Sequence, residues 1–96
     1  VIDGVKWDSE REYVRWLVLF EWFSKGLISH LRRQVKYKIT HNNEFICVYK
    51  ADFVYVRNGS LVVEDVKSDF TAKLPVYRLK KKLMKAHYGI EITEIK

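Results

Sequence analysis

Apolar residues recur at helical spacing through REYVRWLVLFEWFSK, residues 11–25, and the pattern turns strand-like soon after. Ser9 followed by Glu12 is a capping-box signature and Gly26 supplies a stop, so the spacing predicts a helix over 9–25. RQVKYKI at 33–39 reads as a strand, HNN at 41–43 as a turn, and Glu44 to Val56 as a long β-rich run. Asn58-Gly59 is the strongest hairpin signal in the chain, with Leu61 to Lys67 as the returning strand. SDFTAKL at 68–74 reads as a loop, and Pro75 is placed to start a second helix that ends at Gly89. IEITEI alternates as a last strand should. The order α, β, β, β, α, β predicts an α+β fold, α/β in the broad sense, without repeats or low-complexity segments.

Successive helical residues turn by about 100°, which places Glu12 in one stripe with Trp16, Leu19 and Phe23, facing the sheet. Glu10 and Glu21 fall on the other side and read as solvated. Glu12 has a second role open to it as the third residue of the capping box, bonding back to the Ser9 amide. Val14, Val18 and Trp22 lie away from the Trp16 side, so either a neighbouring loop covers them or they form a dimer interface. In the second helix Val76, Leu79, Leu83 and Ala86 form the apolar stripe, which leaves Arg78, Lys80, Lys81, Lys82 and Lys85 for solvent or for phosphates.

Length and composition narrow the picture. Ninety-six residues with no Pro, Gly or Ser-rich divider predict one domain over 1–96, and 48% hydrophobic residues with 15% aromatic exclude a disordered chain. A formal charge of +6 favours a polyanionic partner, nucleic acid or an acidic membrane surface. Cys47 has no partner for an internal disulfide and sits in an apolar strand as a small hydrophobe. The longest apolar run, WLVLF, is far short of a membrane span, and no secretory pattern opens the sequence, so the expectation is a cytoplasmic protein without a membrane partner; Val1 need not be the native start. His30, His41 and His87 show no metal-ligand spacing and read as surface or cap residues.

The hairpin carries the candidate chemistry. Pairing outward from Asn58-Gly59 sets Val56 opposite Leu61, Val54 opposite Val63, Asp52 opposite Asp65 and Lys50 opposite Lys67, all on one face. Like charges directly opposed destabilise a strand pair. A divalent cation compensates them most simply, and an all-oxygen donor set suits Mg²⁺ or Mn²⁺ better than zinc. The alternative is a bulge that sends Asp52 and Asp65 to different faces as ordinary solvated charges.

An acidic helix residue, an Asp, and an acid two before a Lys over this element order resemble the PD-(D/E)XK nuclease superfamily. More narrowly, WDSERE, YKADFVY, VVEDVKS, Thr71 and YRLKKK are similar to the patterns of small bacteriophage endonucleases related to Holliday-junction resolvases. The resemblance spans nearly the whole chain. It implies a single nuclease domain with a restriction-endonuclease-like core, a mixed central sheet flanked by helices. It also implies a Mg²⁺-dependent endodeoxyribonuclease, Mn²⁺ substituting, that acts on branched DNA such as four-way junctions as a homodimer, in the host cytoplasm if phage-encoded. Asp52 would be the central metal ligand, Asp65 the second carboxylate, Lys67 the motif lysine and Glu12 the helix acid, with the Val66 carbonyl as a further ligand. Glu64 competes with Asp65 as the motif acid, but only Asp65 shares a face with Lys67 by alternation. Gln34 matches a glutamine of the family before the second strand, and Ser68 stands where its phage members carry Gly. Gln34 and Thr71 join Arg78, Lys80, Lys81, Lys82 and Lys85 as expected DNA contacts, with Arg32, Arg33, Lys36, Lys38 and Lys73 extending the surface. Two alternatives stay open: a nuclease for nicked or linear duplex DNA, and a non-catalytic DNA-binding module. No Ser/His or Cys/His pair and no Gly-rich phosphate loop supports an enzyme of another class.

Overall fold

The computed structural model describes residues 9–96. The elements are α1 (Glu10–Ser24), β1 (Ser29–His41), β2 (Glu44–Arg57), β3 (Ser60–Val66), α2 (Asp69–Ala72), α3 (Pro75–Tyr88) and β4 (Thr93–Ile95). Trp7 and Asp8, the start of the WDSERE match, lie outside the described residues. The order is the expected one with α2 added. The segment expected to be a loop forms this short helix because Ser68 and Thr71 cap each other: Ser68 Oγ accepts from Thr71 N at 3.1 Å and Thr71 Oγ1 accepts from Ser68 N at 2.8 Å. A Thr in the place usually held by Glu or Gln hides that capping box from a sequence reading.

The strands form one four-stranded sheet in the order β1-β2-β3-β4. The first three are antiparallel, and β4, reached through α3, is parallel to β3, so the sheet is mixed and the fold is α+β. Asn42-Asn43 and Asn58-Gly59 both turn with positive φ (50°, 67°, 52° and 77°), the geometry that two-residue hairpin loops need and that Asn and Gly tolerate. The β2–β3 register is the one the Asn58-Gly59 turn dictates, with Arg57–Ser60, Val56–Leu61, Val54–Val63 and Phe53–Glu64 paired, but the ladder ends there, so the expected Asp52–Asp65 and Lys50–Lys67 pairs do not form.

Each sheet face buries its own cluster. On the α1 side Leu19, Ile28, Phe53 and Tyr55 pack with Trp16, Trp22, Leu31 and Val62, and the Trp16 and Phe53 rings stack at 6.0 Å. On the α3 side Tyr49, Ala51, Val54, Val63, Tyr77, Met84 and Ile92 pack together. Side chains as completely buried as Phe53, Leu19 and Met84 contribute about 1.5–3 kcal/mol each.

Helix α1 sits close to its expected rotation, with Glu12 and Leu19 buried and Trp16 half-buried, whereas α3 is turned away from the face its apolar residues suggest. In α1, Phe23 is exposed, while Trp22, expected outside, is half-buried between the guanidinium groups of Arg15 (5.1 Å) and Arg57 (4.8 Å). In α3 the inward line is Tyr77 and Met84 beside Leu83, whereas Val76, Leu79 and Ala86 of the expected stripe are exposed. Tyr77 wins the buried position because its hydroxyl finds an acceptor there, Glu94 Oε2 at 2.8 Å, which a buried phenol needs. Lys80 and Lys81 are therefore half-buried at the rim instead of standing opposite the core.

Candidate functional site

Alternation in β2 breaks at Asp52. Tyr49 and Ala51 share a cluster with Val54, while Phe53 and Tyr55 face α1, so the strand changes face across one residue. The partner strand breaks at the same level. Arg33 pairs with Phe53 and Val35 with Ala51, and Gln34 between them takes φ 56°, a conformation that costs a non-glycine residue about 1–2 kcal/mol. Such local strain persists only where surrounding contacts hold it, and Gln34 has one: its Nε2 donates to Glu12 Oε1 at 2.6 Å.

The irregularity does not separate the two aspartates. Beyond the Phe53–Glu64 pair, Asp52 Oδ2 accepts the backbone N–H of Val66 at 2.8 Å, which holds the Asp52 carboxyl across the open end of the hairpin beside Asp65. Asp65 is 2% exposed. Its Oδ2 accepts the Tyr49 hydroxyl at 2.6 Å, and its Oδ1 lies 2.9 Å from Lys67 Nζ as an ion pair without an aligned hydrogen bond. Lys67 also stands 4.7 Å over the Tyr77 ring. Just after it the chain turns away: Lys67 N donates to Ile95 O at 2.8 Å, and Ser68 then starts α2.

Glu12 completes the group from α1. Ser9 Oγ accepts from the Glu12 amide, one half of the anticipated capping box, while the Glu12 carboxyl is 3% exposed, with Gln34 on it and Arg33 Nη2 at 3.6 Å. Burial pushes the Asp52 carboxyl up to about 7. A hydrogen bond shared with Asp65 and the charges of Asp65 and Glu12 add to that rise, and the Val66 N–H opposes it. Burial likewise raises the Tyr49 hydroxyl, so it stays a hydrogen-bond donor at neutral pH.

Glu64, the neighbour of Asp65, serves the other face. It is 1% exposed, accepts both Arg15 Nε (2.8 Å) and Nη2 (2.7 Å), and also takes the Tyr55 hydroxyl. Arg15 neutralises it, and its role there is to tie α1 to the sheet. Sequence reasoning missed this trio, although a charged Arg15 lying between Glu12 and Leu19 on the inward side of α1 was the available signal. It also missed Tyr49, which an apolar pattern absorbs as core.

The expected DNA contacts are distributed unevenly. Lys80 lines a cleft of about 340 Å³ with Lys50, Lys67, Asp65 and Tyr77. Arg78, Lys81, Lys82 and Lys85 line a larger one of about 500 Å³ between α3 and β4, away from the aspartates. Lys81 pairs there with Glu94 (3.1 Å) and Lys85 with Glu91 (2.8 Å), which leaves Arg78 and Lys82 without a carboxylate partner among the described residues. Gln34 is turned to Glu12, and Thr71 is engaged in the α2 cap.

The fold is thus an α+β domain with Asp52 and Asp65 side by side at the open end of a hairpin and the charge of Glu12, on α1, acting on Asp52. The family described as "Protein of unknown function (DUF1064)" matches residues 1–95, and the chain belongs to it. No curated protein and no solved structure matches the chain. No helix among the described residues is long and apolar enough to cross a membrane.

Proposed function

We propose that the protein is a Mg²⁺-dependent endodeoxyribonuclease, with Mn²⁺ able to substitute, whose site is Asp52, Asp65, Lys67 and Glu12. The observation that carries the reading is the approach of Asp52, half-buried, to the buried Asp65, two carboxyls that a purely structural hairpin has no reason to bring together. The donor set fits a hard divalent cation: Asp65 Oδ1 is buried and receives no hydrogen bond, and Asp52 gives up its proton near neutral pH. Among the described residues no three His, Cys, Asp or Glu side chains are grouped to hold a metal ion, so the carboxylate ligands we assign are the pair Asp52 and Asp65, with waters completing the shell as Mg²⁺ allows. The Val66 carbonyl is the further ligand we assign.

A cation held by these acids supplies Lewis-acid polarisation of a phosphate oxygen and a more acidic water. The protein's own groups do the rest. Tyr49 fixes Asp65 through Oδ2, so the oxygen turned to a cation would be Oδ1, which Lys67 pairs with in the cation's absence, and Gln34 holds Glu12 in place. Lys67 orients the attacking water or balances the negative charge on the phosphate's non-bridging oxygens as water adds and the bond to the 3′ oxygen breaks. Lys50, Lys80, Arg78 and Lys82 attract the phosphate backbone, which positions DNA without reading its sequence.

Branched DNA is the substrate we assign, on the resemblance to junction resolvases, with the cytoplasm as its site of action. A homodimer accounts for the exposed Val14, Leu17 and Phe20 on α1 and provides two sites for paired cuts. The test offers a labelled four-way junction and a linear duplex to the protein in Mg²⁺ or EDTA, beside Asp65→Ala. Mg²⁺-dependent cutting of the junction that the substitution abolishes is expected. Equal cutting of both substrates would end the branched-DNA assignment, equal cutting by the variant would end the site, and binding without cutting would leave a DNA-binding module.

A further inference from the structure

The cleft over Asp65 has a wall that phosphate chemistry does not require. Leu74 and Val76, 41% and 66% exposed where α3 begins, line it together with Lys50 and Lys80. Lys50 and Lys80 have no carboxylate partner among the described residues, so the cleft presents unpaired positive charge and bare apolar surface side by side. A continuous duplex has less use for the second of these, because its base faces are hidden in the stack and only base edges, sugar and phosphate reach its surface. A nucleotide that has left the stack offers both an anionic phosphate and a flat apolar face.

We propose that this cleft receives one unstacked nucleotide of a nucleic-acid strand, its phosphate between Lys50 and Lys80 and its base against Leu74 and Val76. The inference rests on the nuclease reading for its setting and goes beyond it in naming what is bound next to the carboxylates. The cleft's volume of about 340 Å³ lies within the range of small-ligand sites. Because the rim stands beside Asp65, the occupant is a nucleotide adjacent to the scissile bond, and the feature that selects a substrate is a base free to swing out, whether at a branch, a flap or a frayed end.

The test uses 2-aminopurine, which brightens on leaving the stack, placed next to the branch of a four-way junction and at the matching position of a linear duplex. Binding is measured in EDTA, so that cutting plays no part. The comparison protein is the double variant Leu74→Ser, Val76→Ser, whose sites are exposed and whose Ser at the α3 N-cap position adds a capping side chain. Wild-type protein is expected to raise the fluorescence of the junction but not of the duplex. The double variant is expected to lose the rise, with its preference for junction over duplex falling by about tenfold. An unchanged rise with the variant, or none with the wild type, would overturn the proposal. So would a variant that keeps the rise but sediments as a monomer where the wild type is a dimer, since the rim would then be a seam between proteins. A wild type that shows the rise yet cuts nothing in Mg²⁺ or Mn²⁺ keeps the nucleotide site and loses the nuclease; one that cuts without the rise does the reverse.

Discussion

Tyr49 donates its hydroxyl to Oδ2 of Asp65 at 2.6 Å, and that bond decides which oxygen of the carboxylate faces Lys67. Both residues are almost fully buried, so neither has water as a substitute partner. Tyr49→Phe keeps the ring and removes the bond to a charged acceptor, and should lower stability by about 1–3 kcal/mol in urea unfolding without metal. Isothermal titration with Mg²⁺ should show weaker binding by the same variant, because Asp65 is then free to turn.

Arg15, half-buried, and Glu64, fully buried, form a bidentate pair that joins α1 to β3. Arg15→Met leaves a buried carboxylate with only the Tyr55 hydroxyl, at an expected cost of about 3–5 kcal/mol, a large part of what a domain of this size has. Adding Glu64→Leu and Tyr55→Phe should recover most of the loss, since apolar groups of similar size can replace such a pair. Chemical denaturation of the single and triple variants measures both steps.

Asp52 makes the metal-free protein less stable as pH rises. The folded carboxyl holds its proton up to about pH 7, while an unfolded aspartate releases it near 3.8, so the folded state binds more protons across that window. The stabilising contribution is complete below the lower value and lost as pH passes the upper one. Thermal melts in EDTA should show this fall, and Asp52→Asn should flatten it. Mg²⁺ competes with the proton, so it should raise the melting temperature more at about pH 8 than at about pH 5.

Lys67 balances Asp65 in the absence of a cation, and on the nuclease reading it acts on the reacting phosphate as well. Lys67→Met should lower the cleavage rate by about a hundredfold or more, the range seen when one preorganised charge is removed. Metal affinity should not fall with it, because the substitution removes a positive neighbour from Oδ1. Single-turnover cleavage and Mg²⁺ titration separate the two effects.

What a sequence reading could reach here is set by how local each signal is. The Asn58-Gly59 turn fixes its own register, so Val54–Val63 and the approach of Asp52 to Asp65 were legible from a few neighbouring residues. Helix limits were legible for the same reason, through Ser9, Pro75 and Gly89. The rotation of α3 was not. The α3 face that is buried depends on Glu94, which comes from another element and offers Tyr77 an acceptor, and no periodicity within α3 carries that information. Gln34 and Asp52 show the same limit in the sheet. Their shared break in alternation is sustained by Glu12 and Val66, distant in sequence, so a strand pattern read by itself passes straight through it.

The three residues of β4 pair with Glu64, Asp65 and Val66 and accept the amide of Lys67, so the acid-bearing end of β3 is clamped by the last element of the described chain. On the ribosome that clamp emerges after everything it holds. A nascent chain can close its hairpin early and still lack the strand that fixes the Asp65 end of β3.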